Sequence, residues 1–224
     1  MTFSLVASCE RSGSFGIVVS SSSVCVTSRC AWVRADAGAV ASQNVTDPDL
    51  GLLGLDLLQR GQPASRVIEM LKTAGDFPQY RQLSVVDRNG GAAIHSGEKT
   101  LGTHAAEVGE RCAAAGNLLA SGGVPAAMVE AFESGARLDF AERLLLALEA
   151  GEAAGGEAGE VRSAGLRVAG KLSWPVVDLR VDWHDNPIQE LRNLWTIYAP
   201  QMADYITRAS NPAAAPAYGV PGDP

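Results

Sequence analysis

Basic residues and histidine are scarce in this chain, and their scarcity excludes some classes of function. Among 224 residues there are 18 Lys and Arg against 25 Asp and Glu, which gives a formal net charge of −7 and an isoelectric point near 5.0. A nucleic-acid-binding protein needs clustered Lys and Arg to contact phosphates, so the composition argues against that class. Only three histidines are present, which limits any mechanism that depends on imidazole groups.

The sequence also lacks a long apolar run and a paired cysteine motif. The longest uncharged stretches, 12–28 and 112–129, are broken by glycine and polar residues, whereas a membrane-spanning helix needs about 20 mostly apolar residues. The first ten residues contain no basic segment followed by an apolar core, so they do not resemble a secretory signal. The four cysteines form no C-x-x-C pair. We therefore expect free thiols, packed as small hydrophobic side chains in a cytoplasmic protein.

Standard catalytic and cofactor motifs are missing as well. The chain contains no phosphate-binding loop, no dinucleotide-binding glycine motif, no G-x-S-x-G turn and no H-E-x-x-H helix. The motifs therefore suggest no cofactor and no metal. The expected partner is a small-molecule substrate, with neither nucleic acid nor membrane involved. Helices rich in Gly and Ala leave little core in each layer, which favours homo-oligomerisation, although the sequence reveals no interface.

The hydrophobic pattern predicts strands at both ends of the chain, with helices between and after them. Alternating or β-branched runs predict strands over 3–7, 16–19, 38–43, 83–87, 92–95, 165–168 and 176–182. Apolar residues at helical spacing predict helices over 63–74, 125–133 and 138–149, and a last one that begins at 186–187. This order indicates a layered α+β domain over residues 1–206. Residues 207–224, rich in Pro and Ala, are predicted to be a flexible tail.

Helix caps can be predicted at two of these boundaries. Asp139, with Glu142 three residues later, resembles a capping box. Asp185 or Asn186 is expected to cap the last helix, with Asp182 in a surface ion pair.

Thr2 is the first residue that could carry chemistry. A small second residue permits removal of Met1, and Thr2 would then carry a free α-amine beside its own hydroxyl. Such an amine, with a pKa near 8, can accept the hydroxyl proton, so one residue supplies both nucleophile and base. The alternative is that the residue has no catalytic role, since many proteins begin with Met-Thr.

Other candidates are polar residues near strand ends, and each has a structural alternative. Asn117 could donate its amide to a developing oxyanion or could be a turn residue, and Gln43 allows the same two interpretations. Arg34 could lower the pKa of a nearby nucleophile, steady a substrate carboxylate or be a solvated charge. Asp182 and His184 could face one side of a strand and join in holding a metal, but metals need three or four ligands. The serines from 20 to 23 are predicted to be an exposed or half-buried strand end, with Ser21 a candidate substrate contact.

Taken in order, several short blocks of the chain resemble one family, the uncharacterised bacterial domain-of-unknown-function family 1028. The matching blocks are 1–7, 16–19, 38–43, 54–58, 81–82, 85–87, 116–119, 141–145, 151–156 and 178–182. They extend over roughly residues 1–198. No block is decisive alone, but their order and spacing are fairly specific.

The family is in turn similar to the N-terminal-nucleophile (Ntn) hydrolases, and the resemblance implies both a fold and an activity. The implied fold is a four-layer αββα sandwich of two antiparallel sheets. The implied activity is hydrolysis of a small-molecule amide, with Thr2 as nucleophile and with Asn117 or a backbone N–H as oxyanion donor. Ser21, Arg34, Gln43 and His184 are then candidates for contact with substrate. The alternative function is a non-catalytic ligand-binding or assembly protein that keeps the fold.

The chain departs from the family pattern at three places. A stretch rich in arginine usually follows the paired glycines, whereas this chain has Glu157-Ala158-Gly159-Glu160-Val161-Arg162. Ser22 replaces the usual histidine after the second-strand serine, and Trp183 interrupts a late Asp-Asp-His. If the arginines bind an acidic substrate, or if that histidine serves the site, this chain is expected to have altered specificity or to have lost activity.

Overall fold

Two antiparallel β-sheets form the framework of the protein. Within residues 1–222, which the computed structural model describes, the strands are β1 (Thr2–Cys9), β2 (Ser14–Ser21), β3 (Ala31–Arg34), β4 (Gly38–Asn44), β5 (Arg81–Asp87), β6 (Ala92–Ser96), β7 (Ala105–Gly109), β8 (Cys112–Asn117), β9 (Ser163–Ala169) and β10 (Pro175–Val181). One sheet has six strands in the order β10-β9-β2-β1-β8-β7, and the other has four in the order β3-β4-β5-β6. The predicted mixed α+β class is confirmed.

Helices occupy the intervals between the strands. They are α1 (Val26–Cys30), α2 (Pro48–Gln59), α3 (Ala64–Ala74), α4 (Val124–Ser134), α5 (Phe140–Ala153), α6 (Pro187–Tyr198) and α7 (Met202–Ser210), with short 3₁₀ turns at Pro78–Tyr80, Ala199–Gln201 and Pro212–Ala214. None of the helices in this part of the chain is long and apolar enough to cross a membrane.

Apolar side chains collect in three separate clusters. The first lies between the six-stranded sheet and α4, α5 and α6, and it contains Phe3 and Leu5. The second lies between the two sheets and includes Val6 and Ile17. The third lies between the four-stranded sheet and the helices α2 and α3. Strand β1 contributes to the first two clusters because its successive side chains point to opposite faces of the sheet.

The predicted strands and helices are found, with boundaries that differ by a few residues, but the strands β3 and β7 and the helices α1, α2 and α7 were not predicted, and β8 was anticipated only by placing Asn117 near a strand end. Helix α2 carries apolar residues on most of its surface and two glycines, Gly51 and Gly54, so that its helical periodicity is weak. Pro63, predicted to be the first residue of α3, is instead the residue before it.

The capping box predicted at the start of α5 forms only in part. The carboxylate of Asp139 accepts a hydrogen bond from the Ala141 N–H at 2.9 Å, as expected of an N-cap. Glu142, however, does not reach back to the cap. It accepts hydrogen bonds from the Arg192 guanidinium and the Trp195 indole N–H, both at 2.8 Å, and so joins α5 to α6. The ion pair with Arg192 thus takes the place of the second half of the capping box, the hydrogen bond from the cap residue to Glu142.

The C-terminal segment contains more structure than a uniform tail would have. Helix α7 runs through the predicted boundary at 206 to Ser210. Beyond it the Arg208 guanidinium lies 3.8 Å from the centre of the Tyr218 ring. Residues 223 and 224 of the predicted tail lie outside the described residues.

Candidate functional site

Thr2 is the first residue of β1 and lies between two polar neighbours on the adjacent strands. It pairs in register with Asn117, the last residue of β8. On the other side, Phe3 pairs with Ser20, which brings Ser21 beside Thr2. The hydroxyl oxygens of Thr2 and Ser21 are 3.3 Å apart. The structure therefore brings together three of the predicted site residues at one end of the six-stranded sheet.

Both of these hydroxyl groups are directed at one carbonyl group. The Thr2 and Ser21 hydroxyls each donate a hydrogen bond to the carbonyl oxygen of Met1. Ser21 is held in turn by the Ser23 N–H, which donates to its hydroxyl oxygen at 3.1 Å. Ser20 and Ser21 are fully buried, so the prediction of an exposed or half-buried strand end is wrong for them. Ser21 lies on the same face of β2 as Ile17 and Val19, which is the face turned toward the second sheet, and this accounts for its burial.

Buried amide side chains link this end of the two sheets. Gln43 donates to the Gln82 side-chain oxygen at 2.9 Å and to the Ala115 carbonyl at 3.1 Å. Gln82 donates to the Ser96 hydroxyl at 3.0 Å and to the Gly116 carbonyl at 3.1 Å. The predicted residue Gln43 therefore lies in the hydrogen-bond network that reaches Asn117. Gln82 was not singled out from the sequence, because an isolated glutamine in a strand carries no motif.

Asn117 completes this network and leaves one buried atom without a partner. Its side-chain N–H donates to Gln82 Oε1 at 3.1 Å. Its Oδ1 atom is fully buried and has no hydrogen-bond partner among the described residues. The assignment of nitrogen and oxygen follows from the network, because Gln82 must present its nitrogen to the Gly116 carbonyl and its oxygen to Asn117. One of the two side-chain N–H groups of Asn117 is thus used within the protein, which leaves the other available to an oxyanion.

Glu157 is a buried acid beside the N-terminus that the sequence did not mark as functional. It is 6% exposed, and both of its carboxylate oxygens accept from the Ser22 N–H at 3.1 and 3.2 Å. Burial raises its pKa to about 7, even though the α-ammonium group of Met1 and the Ser22 hydrogen bonds act to lower it. The available signal was the preceding pair Gly155-Gly156, which ends α5 with positive φ angles and turns the chain inward.

A cavity of about 550 Å³ opens beside this carboxylate. Its walls include Phe3, Glu152, Glu157, Gly159 and Arg162. Burial also raises the pKa of Glu152, with a contribution from the nearby Glu149 carboxylate. The volume lies within the range of about 300–1,000 Å³ that is typical of small-molecule sites.

Two other predicted residues, Arg34 and His184, do not join this cluster. Arg34 lies far from Thr2, and His184 is connected to the neighbouring Ser21 only through backbone hydrogen bonds. Arg34 pairs with Gly38 at the far end of β4 and forms an ion pair of 2.7 Å with Asp56. Five residues of strand separate that end from Gln43, a distance of about 16 Å, so the structure does not bring Arg34 to the site. The side chain of His184 is exposed. Its backbone N–H donates to the Arg162 carbonyl, and the backbone N–H of Arg162 donates to the Ser21 carbonyl.

The segment 182–186 differs from its prediction. Strand β10 ends at Val181, so Asp182 and His184 do not lie on one face of a strand. Asp185 pairs with Arg162 instead of capping α6, and Asn186, at the cap position, makes no side-chain capping bond. Its N–H donates to His184 Nδ1 at 3.1 Å, which fixes the loop. Within residues 1–222 no group of three or more His, Cys, Asp and Glu side chains is placed to hold a metal ion.

The cysteines have the expected form. Cys9, Cys25, Cys30 and Cys112 are all free thiols, and all except the half-buried Cys25 are buried.

Comparisons with known proteins agree with this architecture. Residues 2–191 match the model of a family described as a family of unknown function, DUF1028. The chain is also similar to a crystal structure of protein SPO2555 from Silicibacter pomeroyi, assigned to the DUF1028 family. The two share 31% sequence identity and superpose with a TM-score of 0.83 over 91% of this chain and 92% of the other. No curated protein matches the chain.

Proposed function

Since the chain belongs to the DUF1028 family, whose function is unknown, we propose its activity from the chemistry at the Thr2 end of the sheets. The proposed function is hydrolysis of an amide bond in a small molecule in the cytoplasm, with Thr2 as nucleophile after removal of Met1. One observation carries this proposal. The hydroxyl groups of Thr2 and Ser21 both donate to the carbonyl oxygen of Met1, whose carbonyl carbon is bonded to the Thr2 nitrogen.

The finer architecture that we infer is the four-layer αββα sandwich of the Ntn hydrolases. Its support is the arrangement of the three apolar clusters, one between the sheets and one between each sheet and its helices. The position of Thr2 supports the same inference, because it is the first residue of β1, a central strand of the six-stranded sheet.

The reaction needs no group beyond Thr2 and water. The Thr2 hydroxyl oxygen attacks the carbonyl carbon of the substrate while the free α-amine accepts the hydroxyl proton. The carbon–nitrogen bond breaks, the leaving amine takes that proton, and an ester joins the acyl group to Thr2. A water molecule then transfers a proton to the α-amine and attacks the ester, which releases the acid and restores the hydroxyl.

The other site residues would stabilise the charge that develops on the substrate oxygen. Ser21 donates to a carbonyl oxygen beside Thr2, which is the position an oxyanion donor requires. The second N–H of Asn117 could add a donor, while Gln82 and Gln43 hold the Asn117 side chain in position. Loss of one such donor typically lowers kcat by about 10²–10³.

The test combines intact mass with acylation of Thr2. We expect protein purified from its native host to lack the mass of one methionine, and p-nitrophenyl acetate to add one acetyl group to residue 2. The Thr2→Ser variant should retain this acylation and Thr2→Ala should lose it, whereas Ser20→Ala, one residue from Ser21 on the opposite face of β2, should leave it unchanged. Because the free α-amine of either protein can also be acetylated, to an amide, only the acetyl ester, which neutral hydroxylamine removes, is counted. Hydroxylamine-labile acetylation that persists in Thr2→Ala would refute the proposal.

A non-catalytic ligand-binding role is the second candidate, and one observation favours it. While Met1 is present, its carbonyl oxygen occupies both hydroxyl groups and the Thr2 nitrogen is an amide that cannot act as a base. An intact mass showing that protein from its native host retains Met1 would select this alternative.

A further inference from the structure

Met1 makes specific contacts at the candidate site, and these contacts resemble those expected of a bound acyl group. Its carbonyl oxygen is held by the Thr2 and Ser21 hydroxyls. Its side chain lies against Gly159, where an added Cβ atom would be 3.6 Å from Met1 Cε and 3.8 Å from Met1 Sδ. Its α-amino group interacts electrostatically with the Glu157 carboxylate. The carbonyl oxygen and the side chain of Met1 thus make direct contacts at the site, and its α-amino group acts on Glu157 through its charge.

The chemistry of threonine makes this position informative about substrate. An acyl group on the Thr nitrogen and one on the Thr hydroxyl interconvert through a five-membered cyclic intermediate, in which the carbonyl carbon is bonded to both atoms. The Met1 carbonyl therefore lies close to where the carbonyl of an acyl-enzyme on Thr2 would lie. Met1 is itself an aminoacyl group on the Thr2 nitrogen, so its removal leaves a space with the shape and polarity of an aminoacyl group.

We propose that the space filled by Met1 is the subsite for the acyl half of the substrate, and that this half is an α-aminoacyl group with an unbranched apolar side chain. This inference rests on the proposed function. Glu157 is the group that would bind the substrate α-ammonium, Ser21 would bind the carbonyl oxygen, and Gly159 would leave room for the side chain. The enzyme would then release an α-amino acid from its amide.

The burial of Glu157 explains why a cationic group belongs there. Its carboxylate is fixed by the Ser22 N–H and is almost fully removed from water, so an uncompensated negative charge is costly. Met1 supplies a compensating charge before it is removed. The Thr2 α-amine cannot replace this charge when the substrate binds, because that amine must be neutral before it can accept the hydroxyl proton. A substrate ammonium group would restore the missing charge.

The cavity provides the space that the rest of the substrate needs. It shares Glu157 and Gly159 with the surroundings of Met1 and extends past Phe3 and Glu152. Its acidic wall would repel an acyl half that carries a carboxylate and attract one that carries an amine.

The experiment compares two substrates on the same protein. L-methionine p-nitroanilide carries the α-ammonium group, and N-acetyl-L-methionine p-nitroanilide lacks it. With protein that has lost Met1, we expect kcat/KM to be about 10–100-fold higher for the free amine, the size expected of one charged hydrogen bond. Glu157→Gln should remove this preference, and Glu130→Gln, on the exposed surface of α4, should keep it.

Each outcome decides between the two proposals. Equal hydrolysis of both anilides, or a preference that persists in Glu157→Gln, would overturn the aminoacyl subsite. If p-nitrophenyl acetate acylates Thr2 but methionine p-nitroanilide is not cleaved, the subsite proposal fails and the nucleophile stands. If Thr2 is not acylated at all, the proposed function fails first. The substrate comparison uses the unaltered protein, so it remains decisive even if Glu157→Gln does not fold.

Discussion

At the scale of single residues, Glu157 gives the protein's stability a dependence on pH that can be derived from one buried carboxyl group. Its pKa is 4.5 in an exposed state and about 7 in the folded protein, because burial disfavours the charged form. Below pH 4.5 both states hold the proton and there is no penalty. Between pH 4.5 and 7 only the unfolded chain releases it, so the free energy of unfolding falls. Above pH 7 the full cost is present, on the order of 3 kcal/mol.

Replacing this carboxyl group should remove that dependence. Glu157→Gln is expected to be close to the parent protein in stability at pH 4.5 and more stable by about 1–3 kcal/mol at pH 8. Urea unfolding curves at pH 4.5, 6 and 8 measure the difference. The exposed Glu130→Gln variant should show no such trend. Parallel pH profiles for Glu157→Gln and the parent protein would contradict the pKa shift.

The candidate site could be predicted from the sequence only where a residue's place in a strand was already evident. Thr2 was recognised because it follows Met1, and Asn117 and Gln43 because each was placed near the end of a strand, where side chains of neighbouring strands meet at the edge of a sheet. Glu157 lies in a loop 155 residues from Thr2 in the sequence, and contacts between distant segments hold it there: its isolated pairing with Leu119 and the hydrogen bonds from the Ser22 N–H. Arg34 shows the opposite error, because a strand has two ends and the sequence did not say which one faced Thr2.

At the scale of secondary-structure elements, the close approach of α2 to the four-stranded sheet depends on a missing side chain. A Cβ atom at Gly51 would lie 2.1 Å from Trp32 Cδ1, well inside van der Waals contact. Trp32 cannot move freely, because its indole N–H donates to the Arg29 carbonyl at 3.1 Å. The same glycine weakened the helical pattern in the sequence, so the feature that lets α2 pack is also the reason it was not predicted.

The Gly51→Ala variant separates packing from helix propensity. Alanine favours a helix by up to about 1 kcal/mol over glycine, yet we expect this substitution to destabilise the protein by about 1–3 kcal/mol through the clash with Trp32. In a Trp32→Ala background the same change should become neutral or stabilising. Thermal unfolding of the four proteins in this double-mutant cycle gives the coupling. Equal effects of Gly51→Ala in both backgrounds would show that the ring is not the obstacle.

At the scale of the whole molecule, the two sheets are joined differently at their two ends. Away from Thr2, apolar residues such as Val6, Val33 and Val86 fill the space between them. Toward Thr2, the contact becomes the amide network in which Gln82 accepts two hydrogen bonds and donates two. Unlike an apolar core, a hydrogen-bonded network of this kind can hold a polar functional group at a fixed place between the sheets. The sequence predicted the layered class, but this change along the interface depends on register and could not be inferred from composition.

Gln82 should therefore stabilise the whole domain and not only its own strand. We expect Gln82→Met to lower the free energy of unfolding by about 2–4 kcal/mol, because it leaves the buried Asn117 amide without a partner at either atom. The exposed Gln59→Met, at the end of α2, is the matched control and should change stability by less than about 0.5 kcal/mol. Urea unfolding followed by tryptophan fluorescence and by far-UV circular dichroism should give one shared transition for Gln82→Met, shifted to lower urea. Two separate transitions would mean that the sheets unfold independently, and a shift no larger than that of Gln59→Met would mean that the network does not join them.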